Sequence, residues 1–106
     1  MIGVWVIKVY GNNIVLSNIS YGKGEVHSVI NIDRNSIALC TIDGLEVYNK
    51  QTQQLTYKIP THYKPSEAYS VLAQPIPGIS NTKFLLWRSK EYFALINLRK
   101  KTMTPL

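Results

Sequence analysis

Apolar and polar positions along this chain alternate in short runs and never settle into a helical period. Ten stretches are rich in β-branched and aromatic residues: 4–10, 14–19, 25–32, 37–42, 45–49, 55–59, 68–74, 84–88, 92–97 and 102–106. Between them stand Gly11-Asn12-Asn13, Tyr21-Gly22-Lys23-Gly24, Asp33-Arg34-Asn35, Asp43-Gly44, the segment around Pro60 and Pro65, and Pro75-Ile76-Pro77-Gly78. Gly and Asn tolerate positive φ and Pro removes a ladder donor, so these segments read as turns. Short strands at regular spacing with turn signals between them predict an all-β, antiparallel fold.

The strands repeat. "CTIDGLEVYNKQTQQLT", from Cys40 to Thr56, lies without gaps on "RSKEYFALINLRKKTMT", from Arg88 to Thr104, a shift of 48 residues. Leu45 falls on Phe93, Val47 on Leu95, Asn49 on Asn97 and Leu55 on Met103. The segment "IKVYGNNIVLS" carries the same theme, with Val9-Tyr10 standing 38 residues before Val47-Tyr48. Repeats near 40 residues, each of four strands, predict β-propeller blades, about two and a half in this chain. Residues 1–20 then form the last two strands of a first blade, 21–60 a second blade and 61–106 a third. Inner strands sandwiched between blades are expected to be apolar on both faces, as "IALCTI" and "FLLW" are. The outermost strand is expected to alternate, with Leu55, Tyr57 and Ile59 on one face and Thr56 and Lys58 on the other.

At these residues the chain resembles the WD-repeat family of β-propellers. "DRNSIALCTIDGLEVYN" is similar to that family's turn, second strand, Asp-Gly hairpin and third strand. Tyr48-Asn49 and Ile96-Asn97 stand where its Trp-Asp pair would be. The resemblance implies a rigid, non-catalytic scaffold whose loops and rims bind partners, usually proteins. Because propellers close with ~4 to 8 blades, further blades in cis or by association are expected.

Composition narrows the chemistry. No uninterrupted apolar run approaches the ~18 residues that span a bilayer, so no membrane span is expected. A single cysteine, Cys40, has no partner for an internal disulfide, and the first residues lack the order of a secretory signal. The expectation is an intracellular, cytoplasmic protein. Cys40 sits within an apolar strand with no His or acid at a supporting spacing, so it reads as a core residue. His27 and His62 have no second ligand type nearby, and Glu25, Asp33, Asp43, Glu46, Glu67 and Glu91 form no pair suited to acid/base work. No Gly-rich loop follows a strand and opens a helix. We therefore expect no catalysis, no cofactor and no metal. Trp5, Trp87, Tyr92 and Phe93 read as packing residues, while Tyr21, Tyr63 and Tyr69, nearer loops, suit interface anchors.

Charge singles out one end of the strands. Lys and Arg number 12 against 6 acids. In an antiparallel meander the turns after first and third strands emerge together. That set holds Arg34, Lys50, Lys83, Arg99, Lys100 and Lys101 against Asp33, whereas the opposite end balances Lys23, Lys64 and Lys90 against Asp43, Glu67 and Glu91. The expected binding residues are Arg34, Lys50, Arg99, Lys100 and Lys101 on the basic rim, with Tyr63 and Lys90 as candidates at the other end. The expected partner is an acidic protein surface first, and a nucleic acid or another anionic surface such as a lipid headgroup layer second.

Overall fold

The computed structural model describes residues 2–10, 13–21, 26–41, 43–61, 72–89 and 93–106, the first two segments as backbone. All ten expected strands are present. β1 (Ile2–Tyr10) and β2 (Asn13–Tyr21) form a two-stranded antiparallel sheet. β3 (Ser28–Asn31), β4 (Ser36–Thr41), β5 (Gly44–Asn49) and β6 (Leu55–Pro60) form a four-stranded meander. A second meander consists of β7 (Leu72–Pro75), β8 (Phe84–Arg88), β9 (Phe93–Asn97) and β10 (Thr102–Pro105). Neighbours in each sheet run antiparallel, and the described residues contain no helix.

The two meanders share one register. Ser28 faces Cys40 as Leu72 faces Arg88, and Ser36 faces Asn49 as Phe84 faces Asn97. The shift is 44 residues for the first strand and 48 for the second and third, because the β7–β8 connection is longer than the β3–β4 turn. The fourth strands differ more. β6 slips by one residue at Val47/Tyr48, a bulge that leaves Leu55 at 49% exposure although it begins the strand's apolar alternation.

The sheets pack face to face, β3 beside β7 and β6 beside β10. Ala38, Cys40, Leu45, Val47 and Ile59 from the first sheet meet Ala73, Leu85, Trp87, Ala94, Ile96 and Met103 from the second. Each fully buried large side chain here contributes about 1.5–3 kcal/mol relative to exposure. The hydroxyl of Ser28 ties the first strands of the two meanders together, donating to the Ala73 carbonyl at 2.9 Å and accepting from the Ala73 N–H at 3.2 Å. It supplies both bonds that the edge strand β7 would otherwise lack on that side. The indole N–H of Trp87, buried in the interface, has no acceptor, which offsets part of its burial by about 1–3 kcal/mol.

Inner-strand burial follows the expectation for β4, where Ile37 through Thr41 are all buried. On the face away from the second sheet, Ile37, Leu39 and Tyr48 form a second cluster, and the Tyr48 hydroxyl donates to Glu46 Oε1 at 2.7 Å. β8 departs from the expectation. Leu85 and Trp87 are buried, but Phe84 and Leu86 are only half-buried, because they point to the side of the second sheet away from the first.

Gly44 shows how tightly the first meander is built. It has φ +144°, and a Cβ there would overlap the Ile59 carbonyl oxygen and come within 2.9 Å of Pro60 Cα. Gly78, at φ +80°, has open space around it. Gly78→Ala should therefore lose only the conformational term, on the order of 1–2 kcal/mol. Gly44→Ala should lose clearly more, since backbone must move as well. Comparing denaturant midpoints of the two variants checks this; equal losses would contradict the packing at Gly44.

A candidate partner-binding rim

One turn, used twice, builds the basic end of the molecule. In the first meander Asn49 closes the β5–β6 turn: its Oδ1 accepts the N–H of Gln51 at 2.8 Å and of Thr52 at 3.0 Å, and Gln53 takes a left-handed φ of 61°. In the second, Asn97 Oδ1 accepts the Lys100 N–H at 3.0 Å, and Lys101 takes φ 57°. The rims are braced alike, by Lys50 N–H to the Asn35 carbonyl at 2.9 Å and Leu98 N–H to the Lys83 carbonyl at 3.0 Å. Asn fits this position because its short amide mimics a backbone acceptor two or three residues ahead.

The side chains carried by the two copies differ. At the positions of Asn35, Gln51, Thr52 and Gln53 in the first rim, the second rim has Lys83, Arg99, Lys100 and Lys101. Four neutral residues are matched by four cations on the same backbone frame. The cations are thus unnecessary for the turn, since the first copy forms it without them.

The expected binding residues separate into three groups. Arg34, Arg99 and Lys100 are exposed on turns. Lys50 and Lys101 serve the fold: the Lys50 ammonium donates to the Asn31 side chain and, at 2.7 Å, to the Asp33 carbonyl, while Lys101 Nζ lies 4.7 Å from the centre of the Tyr57 ring and links β10's turn to β6. Tyr63 and Lys90 lie outside the described residues, as do Lys23, Lys64, Glu67 and Glu91 of the opposite end. The two rims are joined where Asn81 Nδ2 donates to the Asn31 carbonyl at 3.0 Å.

Beside the second turn is an open groove of about 360 Å³ lined by Lys83, Phe84, Asn97, Arg99 and Lys100. Phe84 and Asn97 were not singled out from sequence as binding residues. The 48-residue alignment contains the signal that finds them, because it places Phe84 on Ser36 beside the four neutral-to-cation changes.

Other candidate groups take structural positions. Cys40 is fully buried, and burial pushes its thiol up from 9.0 to about 11, with the Ser28 side chain and the Ala73 backbone drawing it part of the way back. His27 precedes β3 instead of lying within it, and its N–H donates to the Cys40 carbonyl at 2.8 Å. Asp33 Oδ1 accepts the Asn35 N–H at 2.8 Å in the β3–β4 turn. Among the described residues no three His, Cys, Asp or Glu side chains gather as metal ligands would, and no helix is long and apolar enough to cross a membrane. Compared with family models, with curated proteins and with solved structures, the chain matches none.

The Cys40 thiol links stability to alkaline pH. Below about pH 9 it is protonated in both states and has no effect; between 9 and about 11 the unfolded chain ionises while the folded one does not. Folding stability should therefore fall across that window, by about 3 kcal/mol from this group. Urea titrations at successive pH values should show a shallower alkaline loss in Cys40→Ala. Parallel losses in both proteins would place the thiol outside the apolar interface.

Proposed function

We propose that the two meanders are successive blades of a WD-repeat-like propeller scaffold, and that the chain works by binding a protein partner without catalysis. Two sheets with the same strand order and register, packed first strand to first strand and last to last, support the blade reading. Such a scaffold is completed by further blades, in cis or by association. The observation that carries the binding role is the second rim, where Lys83, Arg99 and Lys100, beside a Lys101 engaged with Tyr57, replace neutral residues that build the same turn. Charge that a turn does not require is available to a partner, and an exposed basic cluster suits an anionic surface. The burial of Cys40, with its thiol held up to about 11, supports a packing role for the residue closest in type to a nucleophile.

Protein is favoured over nucleic acid by the footprint of the charge. A polynucleotide groove needs cations that track a backbone over several nucleotides. Here the concentrated charge stops at the second turn: the adjoining first rim presents neutral Asn35, Gln51 and Thr52, the exposed acid Asp33, one exposed cation in Arg34, and a Lys50 already held by Asn31 and the Asp33 carbonyl.

A photo-crosslinking residue placed at Lys100, with one at Thr52 as the matched control, tests the reading in extracts of the source cell. A discrete protein adduct is expected from position 100 and none from position 52. Its yield should fall as salt rises, since exposed charges are screened within ~8 Å at physiological ionic strength. Adducts with nucleic acid, or equal labelling from both positions, would overturn the assignment.

A further inference from the structure

The groove at the second rim has a more specific chemistry than its charge. Lys83, Arg99 and Lys100 bring only donors, and among the described residues their side chains make no ion pair or hydrogen bond within the chain. The one side-chain acceptor in the lining, Asn97 Oδ1, already accepts the Lys100 N–H, and the Asn97 amide nitrogen is a further donor, so donors dominate the site. A site made of donors fits a ligand made of acceptors. Phe84, half-buried at the groove wall, adds an apolar surface beside them.

From this arrangement we infer that the groove takes an acidic polypeptide segment, with two or three carboxylates against Lys83, Arg99 and Lys100 and an adjacent apolar side chain against Phe84. The inference rests on the reading of the second rim as a partner-binding surface, and names what that surface recognises. Three features of the groove favour a carboxylate-bearing peptide. The planar Arg99 guanidinium can hold a carboxylate through two parallel bonds, while the two lysines act as mobile point charges that suit flexible Asp or Glu side chains. The volume accommodates a few side chains of a segment passing over the turn. The first rim adds only Arg34 and Lys50 against Asp33, and the Lys50 ammonium is held by Asn31 and the Asp33 carbonyl, so the concentrated positive field stays over the second turn, a length too short for a continuing phosphodiester chain.

The first rim also supplies the test, because it shows which residues the same backbone accepts. The variant Lys83→Asn, Arg99→Gln, Lys100→Thr carries the residues found at 35, 51 and 52 and should keep the native unfolding midpoint. The probe is a fluorescent peptide with three consecutive Glu residues followed by Leu, compared with the same peptide carrying Gln for Glu and with an oligothymidylate of similar length, at low salt. The intact chain should bind the Glu peptide in preference to both controls. The triple variant should weaken that binding about a hundredfold, three contacts each near the upper range of exposed charge pairs, and Arg99→Gln should weaken it severalfold on an unaltered turn. Replacing the probe's Leu with Gly should weaken binding further through Phe84. Equal affinity for the Glu and Gln peptides, or undiminished binding by Arg99→Gln, would overturn the inference. Tighter binding of the oligothymidylate would overturn it in favour of nucleic acid. A failed Glu peptide together with a protein adduct at position 100 would remove the carboxylate inference while leaving partner binding by the rim standing.

Discussion

The apolar seam between the two meanders is the contact on which the rest of the molecule depends. A four-stranded sheet has two faces, and neither meander can hide its Leu, Ile and Val side chains alone. Ala38, Cys40, Leu45, Val47 and Ile59 are buried because Leu85, Trp87, Ala94, Ile96 and Met103 lie against them. Ala73 and Ala94 flank Trp87 on its own sheet and leave room for the ring, and Ala38 is the small residue from the other side of the seam. Ser28 fixes the alignment. With its hydroxyl bonded to both polar atoms of Ala73, β3 and β7 cannot slide without stranding backbone groups.

That alignment reaches the rim through rigid strands. Each meander delivers its third strand to the same Asn-closed turn, and Asn81 ties one rim to the other across the seam. The positions of Arg99 and Lys100 are thus set by packing in the sheets below them. The side chains themselves stay in solvent, where they are free to meet a ligand. Asn97 and the left-handed Lys101 make the turn, while the side chains of Lys83, Arg99 and Lys100 decorate it.

Much of this was legible from sequence because the repeat is local in its signals. The gapless match of Cys40–Thr56 to Arg88–Thr104 fixes β5 on β9 and the two Asn turns, and strand ends fall within a few residues of the pattern. The bulge at Val47/Tyr48 was not legible, since it depends on how β6 reaches the seam, and it turned Leu55 outward. Nor was the work done by Lys50 and Lys101. Both read as rim charges, yet one is captured by Asn31 and the Asp33 carbonyl and the other by the Tyr57 ring, contacts made between segments distant in sequence. The burial of Glu46 was equally hidden, because its Tyr48 partner is two residues away on the same strand and a linear pattern shows such a pair as polar beside aromatic.

Glu46 bears on how the chain finds its fold. Two meanders with one register offer each strand a near-equivalent wrong neighbour, such as β8 in place of β4 beside β5. Glu46 breaks this degeneracy. In its own place its carboxylate meets the Tyr48 hydroxyl and lies 3.9 Å from the Lys58 ammonium, on the side away from the seam. In the place of β9 it would occupy the position of Ala94, facing the apolar interior; Tyr48 travels with it on the same strand but Lys58 of β6 does not, and a charge moved into that seam is costly to bury. A single acid on one of two matching strands therefore raises the energy of the swapped topology, and makes the order of the repeats a property the chain can read during folding.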